Sequence, residues 1–268
     1  KLSTQTILRL DREVDIRLFQ RQPVTMVCGF GGAGTTSLMN AFFRSGIVIN
    51  SGSGSAFLKH RNALDSVTIL TELDILLRGV VYVVRDPRVA VMSIFRRQFQ
   101  YLLAAQLGGL RDFEPETAAA LQSIDHYVAY VAKKLQVNSV YGSYFDPLPI
   151  NDHMLGWING AIASPRLFVV GDRAHEPRVF EAIKAHLALN SNEAKLLQRN
   201  LLKRNNAANS HSDWSTLSHF QKTILTQHFS PLLKVLDVNM SNGFLHLSAH
   251  RLESPQQPLA QKKKTKKK

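Results

Sequence analysis

Val24–Phe43 reads VTMVCGFGGAGTTSLMNAFF: a β-branched apolar run, a glycine-rich turn, then a helix opening on two threonines. That order aims several backbone N–H groups and a helix N-terminus at one spot, which is a cradle for phosphate or sulfate. A packing turn would use the same glycines. The position of this one between a strand and a helix favours the anion site, so the chain is read as an α/β protein built outward from this loop.

The glycine spacing Gly29-x-x-x-x-Gly34-Thr35-Thr36 is that of a Walker A loop, yet Thr35 stands where the lysine belongs. A kinase of that class is disfavoured, because no strand-terminal aspartate is placed to hold magnesium. About fifty residues on, Gly79–Val84 (GVVYVV) reads as a buried strand, followed by Arg85-Asp86-Pro87-Arg88 and a helical run at Val89–Phe99. An arginine at the carboxyl end of a central strand lies where open α/β sheets bind ligands. Ser93 follows Arg85 by about two helical turns, so its hydroxyl can share the side of the guanidinium and both can hold one phosphate.

In these two motifs the chain resembles the sulfotransferases that use 3′-phosphoadenosine-5′-phosphosulfate (PAPS). Their first motif is a strand and G-x-P-[KR]-S-G-T-T, matched by Gly29-Phe30-Gly31-Gly32-Ala33-Gly34-Thr35-Thr36; their second, R-D-P-R-x-x-x-x-S, is matched by Arg85–Arg88 with Ser93. Fainter likeness continues in Phe57-Leu58-Lys59-His60, in Leu155-Gly156-Trp157-Ile158, in the strand Leu167–Val170 and in Arg204 followed by Asp213-Trp214. The resemblance implies a single P-loop-type domain with a central parallel sheet and helices on both faces, spanning residues 23–238. An N-terminal arm (1–22) and a C-terminal extension (239–268) flank it. It further implies that Gly31, Gly32, Ala33, Gly34, Thr35 and Thr36 cradle the 5′-phosphosulfate of PAPS as co-substrate. Arg85 and Ser93 hold the 3′-phosphate, Arg204 belongs to a segment that closes over the nucleotide, and His60 takes the proton of a hydroxyl or amine acceptor. No metal is called for, and the acceptor is not legible.

One departure is chemical. Gly32 replaces the lysine or arginine that stabilises the leaving oxygen in the family, and Ala33 replaces its serine. Losing one such donor costs ~10²–10³ in rate. Two readings therefore stand: a PAPS-dependent sulfotransferase, or a catalytically inactive member of the fold with a structural role in a larger assembly, with or without RNA. Gly171-Asp172-Arg173 is a second departure, standing where the family has a glutamate-aspartate turn.

Charge bears on the second reading. The chain of 268 residues carries a formal +13, and six of its 33 basic residues lie in Lys262–Lys268, so the body without them still holds +7. A lysine run after Pro255-Gln256-Gln257-Pro258 is a disordered arm suited to a polyanion such as RNA or an anionic surface. It would serve equally as a solubilising tail. A hydrophobic fraction of 44% is ordinary for a globular chain. No stretch approaches the ~20 apolar residues of a membrane helix. The lone Cys28 rules out an intramolecular disulfide and favours a reducing compartment: cytosol, nucleus or mitochondrial matrix. The chain begins at Lys1, which leaves room for a removed targeting segment.

Elsewhere the pattern predicts helices at Thr35–Ser45, Leu64–Leu77, Glu116–Leu135, Glu181–Leu189, Glu193–Leu202 and Thr216–Leu236, the last broken near Pro231. Tyr101–Phe113 reads as a lid, Val137–Ile150 as a loop lining an acceptor pocket, and Asn205–Ser212 as a polar loop. The ten histidines form no H-x-x-x-H pair and no cluster with cysteine, so zinc is improbable. His126, His153 and His175 read as surface residues.

Overall fold

In the computed structural model the residues described are 22–50, 59–60, 63, 66, 75–108, 115–141, 146–163, 167–171, 174–207, 213–239 and 244–245. The N-terminal arm apart from Gln22, the body of the helix expected at Leu64–Leu77, Asp172-Arg173 and the lysine tail lie outside them.

Strand β1 (Val24–Gly29) is buried along its whole length, as a run of β-branched and sulfur-bearing side chains between two faces requires. Helix α1 (Thr35–Arg44) follows the glycine loop. Strand β2 (Leu77–Val83) pairs parallel with β1 so that Gly29 lies beside Val83, and β3 (Leu167–Val170) pairs parallel with β2 so that Val170 lies beside Val83. The three carboxyl ends are thus level, and the turns that leave them share one edge. A short β4 (Phe244–Leu245) joins β3 antiparallel, so the C-terminal extension contributes to the sheet.

The free edge of β1 is covered by the chain that follows α1. Thr25 N–H donates to the Val48 carbonyl at 2.8 Å, and Asn50 uses its side-chain amide as a strand would, accepting from Val27 N–H at 2.7 Å and donating to its carbonyl at 3.2 Å. Gly29 N–H closes the row by donating to the Lys59 carbonyl at 2.9 Å. An otherwise exposed edge is satisfied in this way.

Successive strand residues alternate between two apolar clusters, the period of two expected of a pleated strand. Val80, Tyr82 and Leu167 enter one, with α2 (Pro87–Arg96), α3 (Gln100–Gly108), α5 (Ile124–Tyr141) and α6 (Ile150–Ala163). Val81, Val83 and Phe168 enter the other, with α1, α7 (Pro177–His186) and α8 (Ser191–Ala207). Asp86 caps α2 by accepting from Arg88 N–H, and Pro87 takes the first helical position, where its missing donor costs nothing.

Several expectations are corrected. Leu77 opens β2 instead of closing a helix. The helix expected at Glu116–Leu135 is two, α4 (Pro115–Ala120) and α5, because Ser123 starts a new helix by accepting from His126 N–H at 3.3 Å. Helix α5 then runs to Tyr141, so only part of Val137–Ile150 is loop. Helix α8 continues through Asn205–Ala207, which places Arg204 inside a helix and not before a loop. After a 3₁₀ turn (Asp213–Thr216), α9 (His219–His228) and α10 (Ser230–Asn239) part at Phe229. The start of α9 is a capping box: Ser218 accepts from Gln221 N–H while the Gln221 side chain accepts from Ser218 N–H.

Candidate functional site

The two motif turns emerge side by side at the carboxyl edge of the sheet. In the first, Gly32 and Gly34 sit at φ 83° and 84°, a left-handed conformation that side chains resist. Close packing makes the same demand of Gly32: a Cβ there would lie 2.6 Å from the carbonyl oxygen of Ala90 on α2. The loop therefore rests on the helix of the second motif with no room for a side chain. A cationic side chain cannot be placed at this position without moving backbone.

The remaining loop residues divide by environment. Gly31 is covered by Leu103 of α3, where a Cβ would overlap the leucine methyls. Ala33 is buried and donates its N–H to the Phe30 carbonyl at 3.3 Å, so that amide closes the turn. Thr35 is 3% exposed and its hydroxyl oxygen finds no hydrogen-bond partner among the described residues. The Ser93 hydroxyl on α2 is likewise orphaned at 5% exposure. Buried hydroxyls are usually paired. Both orphans fall on residues that the motifs assign to an anion.

Charge reaches the loop from the segment after it. The Lys59 ammonium donates to Thr36 Oγ1 at 2.5 Å, on the first turn of α1, where the helix carries no acidic residue. Burial, and then the charge of Arg97, hold Lys59 below its ordinary range. The contact of Lys59 spans 23 residues, for which no local signal exists in the sequence.

His60 lies beside it. Its Nδ1 is 2.6 Å from the Gly29 carbonyl, which can only accept, so Nδ1 carries the proton and Nε2 is left as the basic nitrogen. Burial, opposed by that hydrogen bond and aided by Lys59, lowers its pKa to about 4. The imidazole is thus neutral and held in one tautomer, as an acceptor of protons requires. An anion bound beside Lys59 would raise its basicity by offsetting the neighbouring charge.

The second motif separates its two arginines. Arg88 forks onto Asp86, with contacts of 2.6 to 3.1 Å, and lies 5.7 Å from the Trp214 ring centroid. It ties α2 to the 3₁₀ turn. Arg85, half-buried, forms no ion pair among the described residues. Arg204 lies three residues before the end of α8, and Asp213-Trp214 brings its tryptophan to Arg88.

Two further polar groups are buried. His153, expected at the surface, is 3% exposed and shares a 2.8 Å hydrogen bond with the Tyr82 hydroxyl beneath Phe30, the first loop residue. Asp146 accepts from the Tyr127 hydroxyl at 3.1 Å and lies 3.0 Å from His228, joining α5 and α9 to the chain before α6. Cys28 is fully buried, its thiol pushed well up by burial, so it packs as a small hydrophobe. Among the described residues no three His, Cys, Asp or Glu side chains gather as a metal site would need, and no helix is long and apolar enough to cross a membrane.

Comparison with known proteins returns no matching family model and no matching curated protein.

Proposed function

We propose that the carboxyl edge of the sheet binds the 3′-phosphorylated nucleotide PAPS and transfers its sulfuryl group to a hydroxyl or amine. The observation that carries this reading is the juxtaposition, on one edge, of a glycine loop served by Lys59 and an arginine, Arg85, with no ion-pair partner among the described residues. The hydroxyls of Thr35 and Ser93, one behind each motif turn, have no hydrogen-bond partner among the described residues.

PAPS, when bound, supplies an activated sulfuryl group on a phosphate leaving group. The chain's part is to hold and to move charge. Amides of Gly32–Thr36 and the Thr36 hydroxyl meet the 5′ end, with Ala33 closing the turn from within. Arg85 and Ser93 meet the 3′-phosphate, which ATP lacks. As the acceptor oxygen or nitrogen attacks sulfur, its proton passes to His60 Nε2. The S–O bond to the phosphate breaks and Lys59 faces the charge left on that oxygen. The reading includes a P-loop-type sheet with helices on both faces, which the two apolar clusters support. It places the chain in a reducing compartment and lets the lysine tail meet a polyanion.

A second reading is favoured by the closure of Gly32 on Ala90 and of Gly31 under Leu103: the fold persists as a non-catalytic subunit of a larger assembly. Calorimetric titration with 3′-phosphoadenosine-5′-phosphate, with ATP as control, separates the two. Binding that ATP does not share, weakened roughly 10- to 150-fold by Arg85→Ala, corresponds to the ~1.5–3 kcal/mol of one charged hydrogen bond and supports the first. Absence of binding to either nucleotide sinks it.

A further inference from the structure

Helices α1 and α8 lie side by side on one face of the sheet. Both bury their inner residues in the same apolar cluster, so their outer faces turn the same way. Two contacts fix the pair. Arg78, the second residue of β2, forks onto Glu193 with two bonds of 2.7 Å, and Asn200 donates to the Ser45 hydroxyl at 3.0 Å, just past α1. The outer face of α8 carries Lys195, Arg199 and Lys203 in steps of four residues, ~6 Å apart along the axis. On α1 the outer face carries Asn40, Phe43 and Arg44, with Phe43 69% exposed. All four cations are exposed, and none forms an ion pair among the described residues. The one carboxylate of the two helices, Glu193, is held by Arg78. No aspartate or glutamate stands between Asp15 and Asp65 or between Glu193 and Asp213.

We propose that this face binds single-stranded RNA, its phosphates meeting Arg44, Lys195, Arg199 and Lys203 and an unstacked base lying on Phe43. Cations in a row complement a polymer of phosphates. An exposed ring among them is the stacking surface by which proteins hold single strands, and the bases of a duplex cannot reach it. The neutral residues of the face choose between polyanions. Asn40 and Gln198 are exposed among the cations and can pair with sugar hydroxyls and base edges. A bilayer would take those amides out of water with no such partner, and the apolar tips it would meet are Phe43 and Leu202. A second copy meeting the face by two-fold symmetry would set four cations against four. Arg78 anchors α8 at the amino end of β2, whereas both motif turns leave carboxyl ends, so the face is separate from the candidate site. The proposal stands without the nucleotide reading and without the lysine tail.

The test uses the full chain with the six lysines of Lys262–Lys268 replaced by glutamine, and a fluorescent oligouridine read by anisotropy. The chain should bind it, and more tightly than duplex RNA of equal length. Arg199→Gln with Lys203→Gln should lower the slope of log affinity against log salt by about 1.4, at ~0.7 per phosphate contact. Phe43→Ala should weaken binding roughly 5- to 150-fold at unchanged slope, as the loss of one stacked base does. Lys222→Gln with Lys234→Gln removes the same charge from α9 and α10 and should change neither quantity. Equal losses from the two double variants, or no binding of oligouridine, overturn the proposal. So does tighter binding of oligodeoxyuridine. Flotation on phosphatidylserine vesicles that depends on Phe43, with RNA binding that does not, overturns it as well.

Discussion

The loop after β1 and the turn after β2 leave the same edge of the same sheet, yet they obtain their charge in opposite ways. The turn after β2 keeps its own cations and divides them: Arg88 is tied to Asp86 and Trp214, and Arg85 forms no ion pair among the described residues. The loop after β1 has none of its own. Gly32 is pressed onto the Ala90 carbonyl, and the charge comes from Lys59, reaching Thr36 from a separate segment. A vacancy in a motif is therefore not a vacancy in space. The difference also locates rigidity, since backbone packing fixes the loop whereas side-chain pairing shapes the turn.

The sharpest way to break this contrast is to put a cation back into the loop. Gly32→Lys should destabilise the protein by ~2–4 kcal/mol in denaturant unfolding, combining the left-handed backbone cost with the clash against Ala90. It should not tighten nucleotide binding. A variant of native stability that binds better would show that the loop is not closed on α2.

Acid is the next probe, because His60 is bound to the loop's first glycine. Its folded pKa, about 4, lies below its ordinary 6.5, so the unfolded chain binds the extra proton between those values. Stability should be fully present above pH 6.5 and fall by roughly 3 kcal/mol as pH drops to about 4. His60→Gln should flatten that window. An unchanged acid profile in this variant would mean that His60 is not shielded as described.

Lys59→Gln tests the borrowed charge itself. Nucleotide affinity should fall by about tenfold or more, the ~1.5–3 kcal/mol of a charged contact. The acid window should also shift upward, since Lys59 helps to depress His60. Loss of affinity without that shift would place Lys59 elsewhere in solution.

The smallest effect is expected from Arg88→Ala. Its pair with Asp86 is about one-third exposed on each side, so stability should drop by less than about 1 kcal/mol, with nucleotide binding close to native. Were Arg88→Ala to cost more binding than Arg85→Ala, the division of labour between the two would be reversed.

Much of the framework was legible because its signals are local. Strand β3 occupies the expected Leu167–Val170, and α1 follows the loop as the glycines and threonines require. Pro87 opens α2. Errors arose where a pattern serves two structures. Leu70, Leu73, Leu76 and Leu77 have helical spacing, yet Leu77 belongs to β2, since a short apolar run reads alike as helix or buried strand. Ser123 and the Ser218-x-x-Gln221 box mark true helix starts inside stretches that looked continuous. The burial of His153 depends on a partner, Tyr82, 71 residues away in the chain, so no local pattern announces it.

For this protein the sequence by itself determined that an α/β sheet carries a glycine-rich turn and an arginine-bearing turn at the ends of its strands. Apolar runs, glycines and prolines act through neighbouring residues, and their effect can be read in place. Which cation reaches the loop, which arginine pairs with Asp86 and how the loop packs on the next helix were decided only by the tertiary structure. Those outcomes depend on distances between segments far apart in the chain, such as Lys59 to Thr36 and Gly32 to Ala90, and no local pattern encodes such a distance.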